Sequence, residues 1–159
     1  MLILNKDIYS SWPKDIFKEL KYVLTADRQY FCPTEELILE TIYPQYTEWL
    51  KSYDINKWHK RWDCEQYSRS FKVFCDLYFY TSKVESRGSA IAVGLLHYFT
   101  NTRFESKKPG QHAVNIIYLD KGKKEDGRNI IQPKFFEPQD GSFFLMTKKE
   151  YQSISFIYV

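Results

Sequence analysis

Three residues of this 159-residue chain have types suited to thiol chemistry: Cys64, His112 and Glu137. Cys64 follows Asp63 and starts a run in which Tyr67, Ser68, Phe71, Phe74, Cys75 and Tyr78 recur at the i, i+3, i+4, i+7 spacing of one helix face. That period predicts a helix with Asp63 as its N-cap and Cys64 in its first turn. At a helix N-terminus the aligned peptide dipoles and unpaired N–H groups favour negative charge, and the thiolate is the nucleophilic form of cysteine. The same position also suits an ordinary buried thiol on an apolar stripe. The helix alone leaves both readings open.

A nucleophile needs a base, and the chain has three histidines. His59 lies among Lys57, Lys60 and Arg61 and reads as a surface residue. His97 sits inside an apolar run and reads as a satisfied core or edge histidine. His112 differs, because it follows the turn signal "KKPGQ" and opens an alternating, β-branched segment. A strand end beside a loop is a place to hold an imidazole against a neighbouring helix tip. A Cys–His pair gains from a third polar group that fixes the imidazole's tautomer and orientation. "FFEPQDG" supplies Glu137 at the end of the next predicted strand. If the two strands are hairpin neighbours, Cys64, His112 and Glu137 can converge, although an acid before Pro-Gln is also a common turn residue.

Positioning these residues requires two kinds of element. The first half reads helical. "SSWPKDIFKELKYVL" offers Ser11 as cap, Pro13 in the first turn, and Ile16, Phe17, Leu20, Val23 and Leu24 on one face. "PTEELILETI" offers Thr34 as cap, with Pro44 ending the helix and a short one following through "QYTEWLKSY". The second half reads as strands: "SAIAVGLLHYF", "HAVNIIYL", "IIQPKFFEP", "SFFLMT" and "SISFIYV", separated by "DKGKKEDGRN", "QDGS" and "KKEYQ". Helices followed by a strand meander predict an α+β fold, with helices packed on a C-terminal antiparallel sheet. The length suits one domain spanning 1–159, with a helical part over about 1–57 and a motif-bearing part over 58–159.

Four short motifs occur in order: "DCEQYS" at 63–68, "AVGLL" at 92–96, "HAVN" at 112–115 and "EPQDG" at 137–141. Together they resemble a papain-like cysteine peptidase family whose best-known member is the C-terminal domain of the fairy-ring mushroom agglutinin; small bacterial and phage proteins are similar to it. The resemblance covers about the last hundred residues. It implies a papain-like fold, Cys64 as nucleophile, His112 as general base and Glu137 as orienting carboxylate. Asn115 and Gln139 match motif positions and would be supporting residues; Asn115 is three along from His112 and so faces the other side of the strand. Trp62 would pack over the site. An oxyanion-binding amide would lie upstream of Cys64, with Gln45 and Gln29 both open as candidates. The family's acidic pair after Cys appears here as Glu65-Gln66. Calcium, which takes six to eight oxygens, would therefore have Asp63 and Glu65 to hold it, and the expectation is a protein needing no cofactor.

Composition limits the alternatives. Net charge is +3 and the isoelectric point about 8.6, too mild for a nucleic-acid surface. Lys121, Lys123 and Lys124 run into "EDG" and read as a solvated hairpin tip. No apolar run approaches 18 residues, and "MLILNKDIYSSW" is too soon interrupted by charge for a signal peptide. Three cysteines argue against a disulfide scaffold, and Cys64 and Cys75 on one helix would stand about 16 Å apart. The expected protein is cytoplasmic, binds neither nucleic acid nor membrane, and acts on a protein or peptide. The leading expectation is a cysteine peptidase or amidase whose thiolate attacks a carbonyl. The alternative is a catalytically weak scaffold of the same fold, for instance a phage-encoded inhibitor that binds a host protein.

Overall fold

A computed structural model gives the architecture and describes residues 1–12, 23–57, 59–82, 90–101 and 110–159. Strand β1 (Leu2–Leu4) leads into helix α1 (Asn5–Ser10), followed by β2 (Val23–Leu24) and β3 (Gln29–Phe31). A π-helical segment (Leu37–Ile42) runs directly into α2 (Tyr43–Lys51), and α3 (Cys64–Thr81) is the longest helix described. Strands β4 (Ala90–Ile91), β5 (Val93–Thr100), β6 (Gly110–Lys123), β7 (Asn129–Glu137) and β8 (Ser142–Phe144) follow. Helix α4 (Lys148–Gln152) and β9 (Phe156–Tyr158) close the chain.

The α+β class is correct, and its details depart from the sequence expectation in four places. Two sheets form among the described residues: a small one in the order β1-β3-β4, and a larger one in the order β2-β9-β5-β6-β7-β8. The larger is antiparallel except for the β2–β9 pair. The N-terminal part is therefore not purely helical. Most of the expected helix after Ser11 lies outside the described residues, but its end, Val23 and Leu24, is strand, paired with Ile157 and Tyr158. Apolar, β-branched residues take whichever period their neighbours offer. Pro44 does not end the preceding helix. It occupies the first turn of α2, where its missing N–H is not needed, and the Tyr43 N–H reaches the Ile38 carbonyl in an i→i−5 bond. Lastly, "KKEYQ" is no linker: Thr147 caps it as α4, taking a hydrogen bond from the Glu150 N–H.

Alternation along β6 explains the two cores. Val114, Ile116 and Tyr118 belong to one buried cluster with Ile3, Trp12, Tyr30, Leu96 and Ile157. Ile117 and Leu119 belong to the other, with Phe71 and Cys75 of α3 and Ile38, Ile42 and Tyr46 from the π-helical segment and α2. One face of the sheet thus receives α3, whose packing sets where Cys64 falls. Phe71 stacks on Phe136 of β7 with centroids 4.8 Å apart. Burying a pair of phenyl rings this way stabilises that helix–sheet contact. Strand β9 lies between β2 and β5, so the C-terminal residues are interior to the sheet.

Candidate functional site

Cys64 is the first residue of α3 and is half-buried. Its place is fixed locally by a reciprocal cap. The Asp63 carboxylate accepts the Glu65 N–H at 2.9 Å, and the Gln66 side chain accepts the Asp63 N–H at 3.1 Å. Ser68 Oγ donates to the Cys64 carbonyl at 2.8 Å. Asn115 then ties this first stretch of helix to the sheet: its Nδ2 donates to the Ser68 carbonyl at 2.9 Å and to the Gly94 carbonyl at 3.1 Å. Asn115 thus lies on the face opposite His112, as the strand period requires, and serves as a buried strut. Its Oδ1 has no partner among the described residues.

His112 and Glu137 are both buried, and His112 Nε2 stands 2.7 Å from Glu137 Oε2. The two strands are hairpin neighbours, β6 with β7, which is the arrangement that brings a strand end beside a strand start. The Cys64 thiol lies near enough to the imidazole to raise its pKa. Cys64, His112 and Glu137 therefore converge from α3, β6 and β7, with His112 and Glu137 in direct contact and Cys64 near the imidazole. Burial works to lower the His112 pKa, but the hydrogen bonds and negative charge of Cys64 and Glu137 outweigh it, and the pKa is pushed up to about 9. The imidazolium is the favoured form at neutral pH. The remaining Glu137 oxygen, Oε1, accepts the Gln139 N–H at 3.3 Å, so Gln139 supports the site through its backbone rather than its side chain.

Other sequence candidates fall elsewhere. Trp62 packs edge-on against Tyr67, one turn beyond Cys64, with centroids 6.3 Å apart, and its buried Nε1 has no partner among the described residues. Gln45 is exposed on α2 and Gln29 exposed on β3; no described hydrogen bond joins either to Cys64, His112 or Glu137. Asp63 is engaged as a cap, and Glu65 forms an i,i+4 ion pair with Arg69. No group of three or more His, Cys, Asp or Glu side chains is arranged to hold a metal ion among the described residues. Asp63 and Glu65 do not fit a calcium site, since both carboxylates have other work and supply too few oxygens. His97 is not fully satisfied: its buried Nε2 lacks a partner among the described residues, and burial lowers its pKa.

Sequence reasoning missed Tyr43 and Gly141. The Tyr43 ring lies 5.6 Å from Phe136 and 6.4 Å from Phe71, bridging the strand that carries the acid and the helix that carries the thiol. It also presses on Gly141, in the turn that follows Glu137. "QDG" signalled the turn, but nothing in the sequence said what would lie on it.

No protein-family model matches the chain, and no curated protein matches it significantly. Solved structures do. Polyporus squamosus lectin bound to a human-type influenza-binding epitope, Neu5Aca2-6Galb1-4GlcNAc, is similar over 99% of this chain with a TM-score of 0.68 and 17% identity. A PSL1a–E64 complex is similar over 99% of it with a TM-score of 0.64 and 18% identity. The chain spans about half the length of these solved chains, 49% and 51%. At such identity the likeness shows the fold.

These matches correct the expectation built on four short motifs. The Polyporus squamosus structure is described as a lectin, not as a papain-like peptidase. The family assignment, the peptidase or amidase activity and the inhibitor-scaffold alternative accordingly do not carry forward. Three of the motifs answer local geometric demands. Asp-Cys starts a helix, Asn115 ties helix to sheet, and Glu-Pro-Gln-Asp-Gly makes a strand-ending turn. The 2.7 Å contact between His112 and Glu137 holds whatever the family or activity.

Proposed function

We propose that this chain is a ligand-binding unit whose site is centred on an activated thiol, with Cys64 as the attachment atom, His112 as its proton partner and Glu137 as the group that orients the imidazole. The observation that carries this is the buried His112–Glu137 contact at 2.7 Å with Cys64 near the same imidazole, whose protonated form is favoured. A thiolate beside an imidazolium is held ready as a soft nucleophile. Its ligand is an electrophile. The sulfur forms a bond to an electrophilic carbon, the displaced electron pair moves to the neighbouring oxygen or departing atom, and His112 supplies the proton that atom takes up. Covalent capture in this form requires no second step.

No helix among the described residues is long and apolar enough to cross a membrane. Cys32, Cys64 and Cys75 are all free of disulfides, which suits the reducing cytoplasm and keeps Cys64 available. Residues 1–159 act as one unit on this account, since the buried cluster that includes His112's strand also includes Ile3 and Val159.

The test is the rate of iodoacetamide alkylation at Cys64, read by mass spectrometry at pH 6 against glutathione as a free-thiol standard. Cys64 is expected to react faster than glutathione, as a thiol beside an imidazolium does, and His112→Ala is expected to remove the advantage. Equal rates for Cys64 and glutathione would sink the proposal. A second reading, reversible glycan binding, is favoured by the epitope named for the lectin. Calorimetric titration with that trisaccharide, giving the same affinity in wild type and Cys64→Ser, would support it instead.

A further inference from the structure

The turn after Glu137 is held from outside. Gly141 has φ of +77°, and a Cβ there would sit 2.2, 2.6 and 2.8 Å from Cε1, Cζ and Cδ1 of Tyr43. Two independent constraints thus select glycine: the left-handed backbone and the aromatic edge resting on it. The turn is closed by the Gly141 N–H bonding the Glu137 carbonyl at 2.9 Å, with the Ser142 N–H on Asp140 Oδ1 at 2.9 Å and Glu137 paired across to Ser142. Inside this frame the Glu137 carboxylate receives the Gln139 N–H on one oxygen and faces His112 with the other. Moving the turn moves both the peptide that supports the carboxylate and the carboxylate itself.

Tyr43 is well placed to prevent such movement. It is the first residue of α2, at the junction where the π-helical segment gives way to α-helix, and π-turns shift the register of side chains relative to a continuous α-helix. Its ring is clamped by Phe136, Phe71 and Tyr46, at 5.6, 6.4 and 6.2 Å. One of these neighbours adjoins Glu137 in sequence, and another lies two turns along α3 from Cys64. We infer that Tyr43 is a positioning residue for the Cys64 site: its ring, wedged against Gly141, fixes the Glu137–Gly141 turn and so aims the Glu137 carboxylate at His112. The inference rests on the thiol-site proposal, and extends it to a side chain that touches neither Cys64's ligand nor His112. The ionisable groups facing Tyr43 are Asp140, Glu137 and Tyr67. Its phenol is pushed up to about 12 by burial together with those charges, so it stays neutral and acts as a shape, not as a charge.

The decisive readout is the titration of the His112 ring protons by NMR, assigned with His112→Gln, because it reports the Glu137 contact whether or not Cys64 is reactive. Tyr43→Phe keeps the ring edge and is expected to match wild type. Tyr43→Ala is expected to lower the His112 midpoint by about one unit, a tenfold change in proton affinity. In a Glu137→Gln background it is expected to do nothing further, since both changes act through one contact. Gly141→Ala supplies a second route to the same shift should Tyr43→Ala fail to fold. A wild-type midpoint in a folded Tyr43→Ala, or a shift that adds in full to that of Glu137→Gln, overturns the inference. Slow alkylation of wild-type Cys64 with the His112 shifts intact overturns the thiol-site proposal alone.

Discussion

His112 makes folding stability depend on pH. Its pKa in the folded chain is raised to about 9, against about 6.5 for an unperturbed imidazole. Folding therefore binds the proton more tightly than the unfolded chain does. The resulting stability is fully present below about pH 6.5 and is lost as pH rises through about 9. The expected loss is on the order of 3 kcal/mol between those limits. Chemical denaturation of wild type and His112→Gln at pH 6 and pH 9.5 measures it; a wild type no more pH-sensitive than the variant would refute the linkage. Part of this was legible at the residue scale. Turn chemistry before His112 and the acid in "FFEPQDG" singled out both residues. The magnitude was not legible, because burial and the Cys64 contact exist only after β6, β7 and α3 have assembled.

Helix α3 was the element most completely written in the sequence. Asp63 as cap, the apolar stripe and the Cys64 start all appear as the period requires. Its cap does two jobs at once, ending the helix and holding Cys64 in the first turn. Asp63→Ala is expected to cost about 1 kcal/mol of stability, whereas Asp63→Asn, which also accepts the Glu65 N–H, should cost much less. Urea melts of the two variants decide this, and equal losses would show that charge rather than capping dominates. By contrast, Pro44 and "KKEYQ" were misread, since a breaker and a polar run mean different things depending on which backbone groups already have partners. Asn115 was located on the correct face, yet its two carbonyl partners, Ser68 and Gly94, come from different elements that sequence spacing does not place together.

At the scale of the whole molecule, the C-terminus matters most. Strand β9 runs between β2 and β5, and Ile157 is wholly buried. Gly94 is part of the reason it fits: a Cβ there would stand 2.7 Å from the Tyr158 carbonyl, so no larger residue leaves room for β9. Deleting Ile154–Val159 removes three buried side chains, Ile154, Ile157 and Val159, and exposes an edge of β5. The truncation is expected to lose several kcal/mol, about 2 or more for each large apolar residue removed from the core. Thermal denaturation checks it, and an unchanged melting temperature would mean that the sheet closes without β9. The last apolar run was legible as a strand, but its interior position was not, because strand order depends on connections that cross between elements distant in sequence.

The sequence by itself determined what local chemistry determines: the α3 start at Cys64, the long β-branched strand of β6, the turn after Glu137, and the opposed faces of His112 and Asn115. These follow from capping, periodicity and backbone preference within a dozen residues. The tertiary structure alone decided that His112 and Glu137 meet beside Cys64, that no described hydrogen bond joins Gln45 or Gln29 to them, and that Tyr43 rests on Gly141. Such contacts join residues from tens of positions apart, and they arise from the packing of two buried clusters on opposite faces of one sheet, a property no single segment carries.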